Sequence, residues 1–161
     1  MRIPGGSVAW AGRAVPTKEV FAIYTRPTAQ SIPNNTDTII DFDNMVLDTH
    51  SAVTTGASWV FTAPFYGIYR VDYVVGTEQS GNGTRYSFVA KNGTLIGGFT
   101  AATAGFGGTD LFMNCSGMVH LDAGDTLSVS LYQSSGVSLG TPTTAGIGEP
   151  TISISLVSPY Y

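Results

Sequence analysis

The sequence predicts an all-β protein, an antiparallel β-sandwich of the jelly-roll type with about eight to ten strands. Apolar and polar residues alternate with a period of two, as in the segment TLSVSL, where Leu127, Val129 and Leu131 alternate with serines. Successive side chains of a strand take opposite faces, so this alternation gives each strand one face for a core. Turn signals separate short apolar runs, and no segment carries a helical period.

The predicted strands follow one another with a turn signal between them. Pro27 and Pro64 end two of them, because proline has no backbone N–H to donate to a sheet. Residues 47–53 are predicted as either a short strand or a loop. The other predicted strands lie at residues 20–26, 37–42, 58–63, 67–77, 85–91, 94–99, 109–121, 126–133 and 151–157.

Turns and loops are predicted from Gly, Asn and Pro. Asn-Gly favours positive φ, so tight turns are expected at residues 81–84 and at Asn92–Gly93. Residues 98–108 are rich in Gly and Ala and are predicted as a loop, as are residues 134–149. Gly117 is expected to mark a β-bulge.

Residues 1–19 are predicted to form an extended N-terminal arm, followed by one domain at residues 20–161. Proline and glycine interrupt the arm too often for a helix or a central strand. The arm nevertheless carries Val8, Trp10 and Val15. Two interpretations stay open: the arm docks on a neighbouring molecule, or it is a frayed terminus.

Charge is scarce in this chain. Charged residues make up 11%, against about 25% in an average soluble chain. Such a chain is expected to hide much of its surface, by oligomerising or by docking on a larger assembly. No basic run exists for phosphate contacts, so nucleic-acid binding is not expected. No stretch approaches the roughly 18 apolar residues of a membrane span.

Catalytic constellations are missing from the sequence, and the chain is predicted not to be an enzyme. There is no Gly-x-Ser-x-Gly elbow and no phosphate loop with its lysine. His50, His120 and the single cysteine, Cys115, lack zinc-ligand spacing, and Cys115 is expected to be a small buried apolar residue. No catalytic, cofactor-binding or metal-binding residue is therefore predicted.

Two groups of side chains leave alternatives open. Asp41 and Asp43 are two residues apart, and they are either solvated, a glycosidase acid and base, or, with Asp37, calcium ligands. The pair Asp122 and Asp125 is expected to hydrogen-bond locally around a turn. The second open group is a set of aromatic residues in or near predicted loops, which form either a carbohydrate-stacking patch or packing contacts: Phe65, Tyr66, Phe99 and Phe106.

The segment FTAPFYGIYRVDY, residues 61–73, resembles the signature of C1q/TNF-like domains, the trimeric globular heads of complement-type proteins. Phe61, Gly67, Tyr69 and Tyr73 match that signature, and valine replaces its usual phenylalanine at position 71. Three later segments resemble the family's Asn-Gly hairpin, its Gly-Asp turn and its closing strand: residues 89–98, 121–131 and 151–159. Together the match covers residues 20–159.

The resemblance implies a homotrimer in which the second face of one sheet lies at a threefold axis. Polar strand faces buried there are expected to include Ser128, Ser130, Ser153 and Ser155. Arg70 and Asp72 are expected either to form interchain pairs at that axis or to be solvated.

The stretch 29–44 resembles the opening strands of C1q-like domains in tailed-phage proteins, and the chain has no collagen repeat and no stalk. This implies a trimeric capsid decoration or cement protein on the virion, with the arm 1–19 contacting the major capsid protein, another virion protein or a neighbouring subunit. The alternative is a receptor-binding or glycan-binding head of a phage fibre. A third hypothesis is a hydrolase of surface polysaccharide that uses Asp41 and Asp43.

Overall fold

A computed structural model describes residues 19–106, 108–143 and 148–159 of the chain. The predicted arm, apart from Glu19, lies outside these residues. The described residues form thirteen strands and no helix, so none of them form a helix that could cross a membrane. The strands are β1 (Phe21–Thr25), β2 (Ser31–Ile32), β3 (Thr38–Ile39), β4 (Asn44–Asp48), β5 (Val53–Thr54), β6 (Val60–Thr62), β7 (Gly67–Thr77), β8 (Ser80–Lys91), β9 (Thr94–Phe106), β10 (Leu111–Leu121), β11 (Thr126–Gln133), β12 (Leu139–Gly140) and β13 (Thr151–Pro159).

The strands form two main antiparallel sheets that pack face to face. One has five strands in the order β10-β7-β13-β1-β4, and the other has six in the order β5-β6-β11-β8-β9, with β3 also paired to β11. A small third sheet pairs β12 with β2. The first strand lies beside the last, and β11 lies between β6 and β8, so the chain crosses between sheets as a jelly roll does. The predicted fold class is confirmed.

The core lies between the two main sheets and is built by the predicted alternation. Tyr69, Val71 and Tyr73 of β7 point inward from the five-stranded sheet, and all three are buried. The facing sheet contributes Leu127 and Val129 of β11, which are also buried. Burial of these apolar faces is the main force that holds the two sheets together.

Several predicted elements are confirmed by the strands of the structure. β7 and β11 have the predicted bounds, and β1 and β13 agree within two residues at each end. Asn92–Gly93 forms the expected tight turn, with φ of +51° and +75°. Residues 47–53 are predicted as either a strand or a loop. Leu47 and Asp48 end β4, Val53 begins β5, and residues 49–52 form a loop between them.

The predicted turn at residues 81–84 is wrong. These residues lie inside β8, where the pairing with β9 shifts register between Ser80 and Thr84. The connection before β8 lies instead at Glu78 and Gln79, where the chain passes from β7 of one sheet to β8 of the other. The flexible Gly-Asn-Gly sequence is used for a bulge within the strand rather than for a hairpin turn.

The loop predicted at residues 98–108 is also wrong, because β9 continues through Phe106 and pairs with β8. Small residues lower strand propensity, but a long partner strand supplies the backbone hydrogen bonds. Gly117 causes no bulge, since the pairing of β10 with β7 keeps one register throughout. Of the strand predicted at residues 37–42, only Thr38–Ile39 forms. The loop predicted at residues 134–149 is interrupted by β12.

Candidate assembly surface

The outward face of the five-stranded sheet presents mostly small, uncharged side chains. On β13, Thr151, Ser153 and Ser155 alternate with buried isoleucines. The register places Ser153 directly between Asp72 of β7 and Ile23 of β1. Side chains of neighbouring strands at matched register share a face, so these residues form one continuous surface, which we call the assembly face.

A shallow groove of about 360 Å³ lies on the assembly face. It follows β7 between β10 and β13. The outward side chains that line it include Ile23, Asp72, Val74, Asn114, Ser116 and Ser153. None of these is bulky, so a neighbouring surface can approach the sheet closely here.

Arg70 and Asp72 form an ion pair with each other at the edge of this groove. The guanidinium makes two bonds to the carboxylate, from Nε at 2.7 Å and from Nη2 at 3.1 Å. Nη2 also donates to the Ser116 hydroxyl at 3.3 Å. The hydrogen bond from Arg70 holds the pKa of Asp72 below its ordinary value. The two charges therefore neutralise each other within one chain. Interchain pairing and solvation, the two alternatives expected from the sequence, do not include this arrangement.

Exposed apolar side chains surround the polar centre of the assembly face. Phe21 begins β1 opposite Ser155. Phe112 and Met118 lie on β10 opposite Gly76 and Arg70. All three are more than a third exposed. A low-charge surface with an apolar margin is the composition expected of a face that packs against another molecule.

The expectation that four serines share one buried face is wrong. Ser153 and Ser155 belong to the five-stranded sheet, whereas Ser128 and Ser130 belong to β11 of the six-stranded sheet. Ser130 is already buried within the chain, where it lies opposite Ile39 of β3. Periodicity identifies which strand residues face outward, but it does not identify the sheet to which a strand belongs.

Asp41 and Asp43 are held by an arginine. Nη1 of Arg26 lies 3.1 Å from Asp41 Oδ2 and 3.0 Å from Asp43 Oδ2. The other carboxylate oxygen of Asp41 accepts the N–H of Gly56 at 2.6 Å. Both aspartates lie between β3 and β4 rather than on a strand. The guanidinium occupies the space between the carboxylates, so the pair is arranged to fix two loops.

The calcium alternative for these aspartates has no support in the described part of the chain. No group of three histidine, cysteine, aspartate or glutamate residues comes close enough there to hold a metal ion. Asp37 makes no ion pair with Arg26. A hydrolytic role for Asp41 and Asp43 is not supported either, because both carboxylates are paired with Arg26.

The turn at Asp122 and Asp125 bonds locally, as expected. Oδ2 of Asp125 accepts the N–H of Asp122 at 2.8 Å and lies 2.7 Å from Lys91 Nζ. Oδ1 accepts from the side-chain amide of Asn92 at 2.7 Å. Hydrogen bonds from Asn92 and Lys91 hold the pKa of Asp125 well below its usual range. This cluster ties the 92–93 turn to the 122–125 turn.

Two of the predicted loop aromatics pack against the histidines at one end of the sandwich. Phe65 lies edge-on to His50, with ring centroids 5.2 Å apart, and Tyr66 lies edge-on to His120 at 4.7 Å. Tyr66 is the more exposed of the two aromatics. The side chains of Phe99 and Phe106 lie outside the description, so their part in an aromatic patch stays a prediction.

Cys115 and Arg85 are a reactive and a charged group that lie at or within the core. Cys115 is partly buried and packs against the core. Arg85 is fully buried, and sequence reasoning missed it. Arg85 lies opposite Gln133 in the pairing of β8 with β11. Its burial could not be predicted from the sequence, because arginine rarely faces a core.

No protein-family model and no curated protein sequence matches the chain. Solved structures do match it. Murine APRIL at pH 5.0 aligns with a TM-score of 0.64 and 14% identity over 87% of this chain and 100% of that one. Eiger TNF from S. frugiperda gives a TM-score of 0.64 and 13% identity over 89% and 95%, and the globular domain of zebrafish complement 1qA gives 0.63 and 11% over 89% and 100%. These likenesses show a TNF/C1q-like jelly-roll fold.

Proposed function

We propose that this chain is a non-enzymatic structural protein that assembles as a homotrimer through its assembly face. The observation that carries the proposal is the composition of that face: small polar side chains, a self-neutralised ion pair and an apolar margin. Such a face loses little by leaving water, since it buries few unpaired charges. Closed threefold symmetry allows each copy to cover this face without forming an open polymer.

The trimer, in this proposal, decorates the outer surface of a phage capsid as a cement protein of the virion. Support comes from the likeness of residues 29–44 to the opening strands of phage C1q-like domains. The scarcity of charge also fits a protein that covers much of its surface in an assembly. The arm at residues 1–19 is assigned to contact with the major capsid protein or with a neighbouring subunit.

The trimer is tested by the molar mass in solution. Multi-angle light scattering is expected to give three times the chain mass of 16.9 kDa. Ser153→Glu places a charge on the assembly face and is expected to yield monomers. Ser128→Glu makes the same change on the six-stranded sheet and is expected to leave the trimer intact. A monomeric unchanged protein contradicts the proposal, as does equal mass for the two variants.

Capsid binding is tested separately, with phage shells stripped of decoration protein. Cosedimentation of the trimer with the shells is expected to saturate, and deletion of residues 1–19 is expected to weaken it. If the full chain fails to cosediment with the shells, the capsid proposal is wrong.

One observation favours the fibre-head alternative: Tyr66 is exposed at one end of the sandwich, where its ring contacts His120. Tyrosine in such a position is suited to stacking on a sugar ring. Saturable binding to host-surface glycans, lost in Tyr66→Ala, supports the alternative over decoration. Binding that is unchanged in Tyr66→Ala, or absent from the start, rules against this site.

A further inference from the structure

Strand β4 is an exposed apolar edge of the five-stranded sheet. Among the described residues it pairs only with β1, on one side. Its three central residues are all apolar and exposed, Met45 at 62%, Val46 at 59% and Leu47 at 42%. A register shift leaves Val46 without a partner residue on β1. Neither a charge nor a proline protects this run, as one ordinarily does at a sheet edge.

Charge is divided unevenly between residues 1–18 and the rest of the chain. Three of the seven basic residues and none of the eleven acidic ones lie in residues 1–18, giving formal side-chain charges of +3 there and −7 elsewhere. The four basic residues beyond residue 18 are occupied or hidden. Three of them pair with aspartates and the fourth is fully buried: Arg26, Arg70, Lys91 and Arg85.

Acidic residues stand at both ends of β4. Asp43 immediately precedes the strand and Asp48 is its last residue. The apolar run is therefore flanked by carboxylates. In residues 1–18 the apolar pair Val8 and Trp10 stands between two basic residues, Arg2 and Arg13. Both stretches place apolar side chains between charged ones, and the charges are of opposite sign.

The first described residue lies at the end of β4. The hydroxyl of Thr49, one residue beyond the strand, donates to the carbonyl of Glu19 at 3.2 Å. Trp10 is nine residues before Glu19, which an extended chain covers in up to about 30 Å. The five residues of β4 span about 17 Å. Trp10 can thus reach the whole strand from this starting point.

We propose that residues 1–18 dock on β4, placing the apolar pair Val8 and Trp10 against the exposed centre of the strand. Docking covers an apolar edge that is open to association with any other sheet. This goes beyond the proposed function, because it requires neither a trimer nor a capsid. In the proposed virion the docked arm, and not a free one, meets the capsid protein.

Disulfide trapping in the full chain tests the docking. Val8→Cys is combined with Val46→Cys in a Cys115→Ala background, and coupling under mild oxidation is followed by non-reducing electrophoresis. The control replaces Val46→Cys with Val137→Cys, a valine that is 58% exposed in the loop after β11. Coupling to position 46 is expected to be at least tenfold faster. A cross-link within one chain supports docking, whereas a cross-link formed only between copies, or equal rates at the two positions, overturns it.

Tryptophan fluorescence gives a second readout that needs no cysteine. The chain has two tryptophans, and Trp59 is fully buried, so quenching by acrylamide reports on Trp10. Protection of Trp10 is expected in the unchanged protein. Val46→Asp is expected to remove it, whereas Val137→Asp is not. A Trp10 that is freely quenched in the unchanged protein overturns the proposal.

The molar mass, measured on the same samples, separates this proposal from the trimer. A Val46→Asp protein that stays trimeric while Trp10 becomes quenchable supports docking on its own. An unchanged protein that is monomeric but protects Trp10 contradicts the trimer and leaves docking supported.

Discussion

Tyr24 and Asp48 join β1 to the edge strand β4, because the Tyr24 hydroxyl donates to Asp48 Oδ2 at 2.9 Å. Asp48 also accepts the backbone N–H groups of His50, Ala52 and Val53 at 3.0 to 3.1 Å. Partial burial raises the pKa of Asp48, but the hydrogen bonds from Ala52, His50, Tyr24 and Val53 lower it further than burial raises it. Burial and the bond to Asp48 raise the pKa of Tyr24 to about 12. One carboxylate thus organises the end of β4 and the loop that leads to β5.

Asp48→Asn is expected to lower the free energy of unfolding at pH 7 by about 2 kcal/mol, since hydrogen bonds to a charged group are weakened. The folded pKa of Asp48 lies below its unfolded value of about 3.9. Its contribution is therefore present above that value and is lost as pH falls through the folded pKa. In urea denaturation, the difference in free energy of unfolding between wild type and Asp48→Asn is expected to become smaller at acidic pH.

Asp37→Asn is the matched control for this prediction, because Asp37 is exposed and forms no ion pair within the described residues. It is expected to change the free energy of unfolding by less than about 0.5 kcal/mol. A gap between wild type and Asp48→Asn that stays constant with pH contradicts the assignment of the effect to the charged carboxylate.

Arg85→Met is expected to stabilise the protein. Arg85 donates to Asn82 and Thr77, but Nη2 has no hydrogen-bond partner among the described residues, and none of the ion pairs there includes Arg85. Burial lowers the pKa of its guanidinium, as desolvation of a cation does. Replacing a poorly compensated buried charge with an apolar side chain of similar length is expected to gain about 1 to 3 kcal/mol in chemical denaturation. Arg85→Ala leaves a cavity instead and is expected to lose stability. Equal losses for the two variants contradict this account.

The sequence predicts the core strands better than the assembly face. Alternation identifies β7 and β11 because one face of each strand is buried and the other is not. Residues 81–84 and β9 were mispredicted because Gly, Ala and Asn have weak local preferences, which the long pairing of β8 with β9 overrides. The assembly face depends on which strands become neighbours, and alternation within a strand does not contain that information. The pairing of Ser153 with Asp72 is therefore visible only in the folded chain.

Gly83→Ala is expected to destabilise the protein by about 3 kcal/mol. Gly83 has a φ of +72°, and a Cβ there would lie 2.0 Å from the backbone carbonyl oxygen of Ser134. Relief requires the backbone of β8 or of the loop after β11 to move, which breaks the hydrogen bond from Thr84 N to Ser134 Oγ. Gly97→Ala is the control, because a Cβ at Gly97 meets open space. Thermal unfolding of both variants measures the difference, and similar midpoints contradict the bulge geometry.

The ion pair of Arg26 with Asp41 is expected to contribute more to stability than its ion pair with Asp43. The side chain of Asp41 is 17% exposed and that of Asp43 is 39% exposed, so water replaces a lost partner more readily at Asp43. Asp41 also accepts the N–H of Gly56, which fixes a second loop. We expect Asp41→Asn to lower the free energy of unfolding by about 1 to 2 kcal/mol and Asp43→Asn by less than about 1 kcal/mol. Urea denaturation at pH 7 measures both losses. A larger loss for Asp43→Asn than for Asp41→Asn contradicts the prediction that the more buried partner, Asp41, contributes more.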